Sequence, residues 1–125
     1  DPTLVEMNEK EFEYYKSSRL PVLAFAPQAK GFFSKMAAGG EAALSAKARD
    51  RYLCAENLKR FERIKTLAED YGCPVAAIVC ALLSSVRGAE VLPIIGGKNE
   101  SQLSESLRGA DIVLDDAAVK EIIGF

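Results

Sequence analysis

The chain has 125 residues, 49% hydrophobic and 27% charged, which is enough for one domain with a real core and argues against intrinsic disorder. Sixteen basic residues against eighteen acidic ones give a net charge of −2, so no basic face is expected for a phosphodiester backbone, and nucleic acid is excluded as an expected partner. The absence of His removes Ser-His-Asp and Cys-His nucleophile activation and the commonest metal ligand.

Residues 1–10 are polar and acidic rather than signal-like, and the start at Asp1 instead of Met reads as processing or excision from a longer chain. Asn8 followed by Glu11 is a capping-box pattern. It opens a helix over residues 9–18 with Phe12 and Tyr15 on one face. Val22-Leu23-Ala24-Phe25-Ala26 is an unbroken apolar run closed by Pro27, the habit of a parallel strand buried on both faces. Residues 27–53 are punctuated by Gly31 and Gly39-Gly40 and hold one short Ala-rich helix over residues 41–51. A connection of this length is often functional.

The clearest helix spans residues 56–71. Leu58, Phe61, Ile64, Leu67, Ala68 and Tyr71 form its apolar stripe, and Gly72 stops it. Pro74 suits the first turn of the next helix, residues 75–86, which is apolar on almost every side yet too short to span a bilayer. No membrane segment is expected. Residues 91–95 read as a second buried strand, with Pro93 as its weak point. Gly96-Gly97-Lys98 follows directly, and Asn99 with Gln102 opens a helix to Leu107. Asp115 caps a last helix with Val119, Ile122 and Ile123 inward. Strands alternating with helices imply parallel βα units. Two strands cannot make a self-sufficient sheet, so the chain reads as part of a larger α/β protein.

Two stretches suit an anion. At Gly96-Gly97-Lys98 a glycine-flanked strand end meets a helix start, where unpaired N–H groups and a lysine suit a phosphate; the alternative is a plain βα turn with its lysine in solvent. The spacing fits neither a Walker A loop nor G-x-G-x-x-G. At Phe25-Ala26-Pro27-Gln28-Ala29-Lys30-Gly31 an aromatic and a lysine leave the carboxyl end of the first strand, where ligands gather in open sheets and barrels. There the alternative is a core Phe25 and a solvated Lys30. Cys54, Cys73 and Cys80 show no C-x-x-C spacing and read as inert, reduced thiols of a cytoplasmic protein in apolar or helical surroundings. The pairs Asp115/Asp116 and Glu69/Asp70 read as caps or exposed faces, and Tyr15 and Tyr71 as packing residues.

These segments, in this order, resemble the C-terminal part of an aldo-keto reductase. Residues 22–27 with Lys30-Gly31-Phe32 look like the family's V-L-A-Y-S-P-L-x-R-G-F, its seventh strand and following loop. Residues 56–72 look like its seventh helix. Residues 74–85 are similar to its eighth, T-P-A-Q-I-A-L-A-W-L-L. Residues 91–98 look like V-I-P-I-P-G-T-K, and Glu105-Ser106-Leu107 stands where the family has E-N-L. Ala26 replaces a usual Ser, Gly97 a common Thr, Gln102 a frequent Arg or His, and Ser106 an Asn.

The resemblance implies that residues 1–125 are the C-terminal part of a (β/α)8 TIM barrel, helix-rich with two parallel strands. Its parent would reduce aldehydes or ketones with NADPH, or less often NADH. Phe25 would stack on the nicotinamide, and Ala26, Gln28 and Lys30 would border the pyrophosphate. Gly96, Gly97 and Lys98 would approach the adenosine phosphate, with Lys98 on a 2′-phosphate. Gln102, Glu105 and Ser106 would line the adenine end. The family's catalytic Asp, Tyr, Lys and His belong to the first half of the barrel, so this chain alone is expected to be inactive. Its expected partner is that half or a second copy of the chain. The competing reading is a non-catalytic nucleotide-binding or self-associating half-barrel module.

Overall fold

The structure, a computed structural model, describes residues 7–124. Most of the polar start, read above as lacking a signal, lies outside them in residues 1–6, as does Phe125. Helix α1 (Glu9–Ser18) begins as its sequence dictates: Asn8 Oδ1 accepts from Glu11 N, and the Glu11 carboxylate accepts from Asn8 N. Strand β1 (Val22–Ala24) and strand β2 (Val91–Pro93) form a parallel pair, with Leu23 opposite Leu92 and Ala24 opposite Pro93. Val22 N donates to Glu90 O at 2.8 Å and Ile94 N to Ala24 O at 3.0 Å. Successive residues of a strand point their N–H groups to opposite sides, so the donor that Pro93 lacks is on the outer edge, where the β1–β2 ladder does not need it.

Burial on both faces does not hold for these strands. One face is covered: helix α5 (Val75–Ser84) packs against β2. The other carries Leu23, 63% exposed, and Leu92, 45% exposed, followed by Phe25 and Ile94, both also exposed. A parallel pair needs cover on both sides, and among the described residues one side has none. The strands are also shorter than expected, three residues each.

The connection after β1 is helical. A 3₁₀ turn at Ala29–Gly31 leads into α2 (Phe32–Gly39). A second turn at Gly40–Ala43 leads into α3 (Ala46–Tyr52), capped by Ser45 through Ala48 N. The expected helix over residues 41–51 is therefore split, and α2 was not expected at all. Phe32, Met36, Leu44, Ala48, Tyr52 and Phe61 close one core around it.

Helix α4 (Ala55–Asp70) buries Phe61, Ile64, Leu67 and Ala68 and ends at Gly72, whose φ is +58°. Tyr71, expected to pack, is 47% exposed, because it lies at the cap beyond the buried stripe, and Tyr52 is buried instead. The chain turns by 103° into α5, where residues 76–82 are all buried. The 3₁₀ turn Arg108–Asp111 lies so close to α5 that a Cβ at Gly109 would stand 2.3 Å from Ala77 O. Helix α6 (Glu100–Leu107) follows β2, and α7 (Asp116–Ile123), capped by Asp115, buries Val119 and Ile122 in the second core with Ile64, Ile78 and Leu114. Ser85 Oγ accepts from Leu114 N at 3.0 Å, and Arg60 Nε donates to Ile122 O at 2.9 Å, tying the C-terminal segment to α5 and α4. No single helix among the described residues is long and apolar enough to cross a membrane.

Candidate functional site

Parallel pairing in register brings the exits of β1 and β2 to the same end of the molecule, side by side. A cleft of about 880 Å³ opens there. Its walls are the loop after β1, helix α2, the loop after β2 and the first turns of α6. Eight of the ten expected site residues line it: Ala26, Gln28, Lys30, Gly96, Gly97, Lys98, Gln102 and Glu105. Two do not. Phe25 is 82% exposed and stands outside the cleft, on the uncovered side of the sheet. Ser106 is 3% exposed, behind the wall rather than in it. The sequence reading missed Ser34 and Lys35, which α2 brings to the opposite wall, and Ser101 on α6. The signal for α2 was the one-turn spacing of Phe32 and Met36, both buried.

The loop after β1 is held in an uncommon backbone conformation. Ala26, Ala29 and Lys30 have φ of +51°, +46° and +56°, in the left-handed region that side chains with a Cβ rarely occupy. Such positions cluster where surrounding structure over-determines a site. Lys35 Nζ donates to Lys30 O at 3.1 Å, bracing this loop from α2. Opposite it, Asn99 Oδ1 accepts from Gln102 N at 3.0 Å, capping α6. The expected capping box is shifted by one residue: Gln102 Oε1 takes Lys98 N, at 3.0 Å, rather than Asn99 N. Gln102 N and Lys98 N are therefore engaged, which leaves the N–H groups of Glu100 and Ser101 as first-turn donors.

Lysines 30, 35 and 98 face one carboxylate, Glu105, among the cleft residues. In a chain of net charge −2 this is a local concentration of positive charge. Glu105 is bonded by Ser101 Oγ at 3.3 Å, which offers a polar, acceptor-bearing edge at the α6 end. The cleft can therefore take an elongated anion along the lysines, with a polar group at the α6 end. Behind it Gln28 Nε2 donates to Ser106 Oγ at 2.6 Å and to Cys80 Sγ at 3.4 Å. Burial pushes the Cys80 thiol up, with the Gln28 bond opposing; burial also pushes Cys73 up, with Arg108 opposing. Cys54 is exposed, and its surroundings are the helical ones of the two expected for it, since it stands at the N-cap of α4. Among the described residues no group of His, Cys, Asp and Glu could hold a metal ion.

A sequence model of the aldo/keto reductase family matches residues 4–124, a span that takes in both strands and the whole lining of the cleft. Comparison with curated proteins gave no match.

Proposed function

Because the chain belongs to the aldo/keto reductase family, a family of oxidoreductases, we propose that it forms the C-terminal part of a (β/α)8 barrel and carries the dinucleotide-phosphate side of an NADPH-dependent reduction of aldehydes or ketones. The family has the TIM-barrel fold and generally uses NAD(P)H. One observation carries the reading: two adjacent parallel strands end side by side, and their exits wall a single lysine-bearing cleft. Barrels commonly bind phosphate beyond their last two strands.

The donor set fits a dinucleotide. Lys30 and Lys35 on one wall suit a pyrophosphate, and Lys98 on the other suits a further phosphate. Gly96 leaves open space where a side chain would stand, so backbone and ligand can approach there. Glu105 and Ser101 offer acceptors to an exocyclic amine. Phe25, outside the cleft and exposed, offers a free ring face for stacking. The cofactor supplies hydride; what this chain does is bind, orient and neutralise charge. The residues that protonate the carbonyl belong, on this reading, to the barrel strands that precede these.

Titration of the protein with NADPH and NADH, followed by nicotinamide fluorescence, tests the reading. Lys98→Ala is expected to weaken NADPH by about 1–3 kcal/mol, roughly five- to 150-fold, and NADH little. Equal losses for the two cofactors remove the 2′-phosphate role. No binding of either by the unaltered protein removes the cofactor reading, whether an oxidoreductase or a nucleotide-binding module is meant.

A further inference from the structure

The resemblance puts Ser106 in contact with the adenine, yet its side chain is buried and already engaged on both sides. Its hydroxyl accepts from Gln28 Nε2 at 2.6 Å and donates to Gln102 O at 2.8 Å. Gln102 in turn holds Lys98 N through Oε1 and is itself fixed by Asn99. One polar chain thus runs from the loop after β1, through α6, to the loop after β2. It joins residues 78 positions apart in sequence. At its β1 end Gln28 lies between the left-handed residues Ala26 and Ala29, a backbone that needs outside support to persist. Its other amide contact, to the buried Cys80, roots the loop in α5.

We propose that Ser106 is a positioning residue: the Gln28–Ser106–Gln102 relay latches the two strand-exit loops together and fixes the width of the cleft for the pyrophosphate. The inference rests on the dinucleotide reading but can be separated from it. Buried, with its one proton already given to Gln102 O, Ser106 makes its contribution through Gln28 and Gln102 rather than by touching ligand. Removing either end of the Gln28–Ser106 bond frees the same loop, so the two losses are one loss counted twice.

The test uses Ser106→Ala, Gln28→Leu and the double variant, with two readouts. Amide hydrogen exchange, without ligand, is expected to accelerate about tenfold at residues 26–31 and also at 97–99 in each single variant, while the core amides of α4 and α7 hold their rates. A merely structural role would move the core amides as well. The dissociation constant for NADPH is expected to rise about tenfold in each single variant and no further in the double. Exchange at residues 97–99 unchanged in Ser106→Ala, or losses that multiply in the double variant, overturn the latch. Gln28 is half-buried, so its variant reads the relay even if the Ser106 variant folds poorly. Coupled exchange in a protein that binds no dinucleotide supports the latch and overturns the function proposed above.

Discussion

A Cβ built at Gly97 would meet Leu103 N at 3.0 Å, Asn99 O at 3.1 Å and Gln102 Cβ at 3.2 Å, whereas at Gly96 nothing lies within 4 Å. The cause is the first turn of α6, whose backbone groups Leu103 N and Asn99 O, together with the Gln102 Cβ, close around Gly97. Of the departures from the family pattern, Gly97 for Thr is therefore the one that this turn explains, since a Cβ there would press on backbone atoms. Gly97→Ala is expected to cost about 1–3 kcal/mol in urea denaturation. Gly96→Ala is expected to stay within about 0.5 kcal/mol. Equal costs would mean that the α6 turn does not crowd this position. The thiols give a prediction in pH. Burial raises Cys80 and Cys73, so the folded state keeps protons that the unfolded state loses as pH climbs through the ordinary thiol range, near 8.5. Their contribution is fully present below that range and is lost as pH rises from it through the raised values of the folded state. Denaturation midpoints taken from pH 7 to 10 should fall at the alkaline end, and the decline should flatten in a Cys73→Ala/Cys80→Ala variant. An unchanged slope would place its source elsewhere.

Elements that carry their own start signals could be read directly: Asn8, Asn99 and Asp115 cap α1, α6 and α7 with the side-chain bonds that their sequence offers. Helix α2 has no such mark. Its N-cap is Gly31 at φ +76°, with no capping side chain, and what fixes it is burial of Phe32 and Met36. Ser45 was the overlooked signal that splits the 41–51 stretch. Missing α2 meant missing one wall of the cleft, Ser34 and Lys35 with it. The two strand exits were legible because proline and glycine mark them; the burial of Ser106 was not, because its partner is Gln28 across the chain. Phe32 is fully buried, with its ring edge-on to Phe33 at 5.1 Å, and it anchors α2 to α3 and α4. Phe32→Ala is expected to cost about 3–5 kcal/mol in urea denaturation, a large part of a domain's stability, and to weaken NADPH through the lost wall. Full NADPH affinity in a Phe32→Ala protein that remains folded would show that α2 is no part of the site.

Among the described residues, the molecule is well packed behind its sheet and bare in front of it. Leu23, Leu92, Phe25 and Ile94 are exposed on or beside one face of a two-stranded sheet, and among the described residues neither strand has a partner on its outer edge. Unpaired strand edges beside an apolar patch are rarely left open to water. On the barrel reading, both edges continue into neighbouring strands, and this face turns to the barrel interior, where layered apolar side chains cover it. The 125-residue chain by itself is then expected to bind a hydrophobic dye and to self-associate as its concentration rises, measured by fluorescence and light scattering. Leu23→Thr/Leu92→Thr should reduce both effects while costing little stability, since neither side chain is in a core. Adding the preceding half of the barrel as a separate polypeptide should suppress dye binding and replace self-association with a one-to-one complex. A dye-silent monomer at every concentration would mean that this face is covered by something other than barrel strands, and the partial-barrel architecture would fall with it.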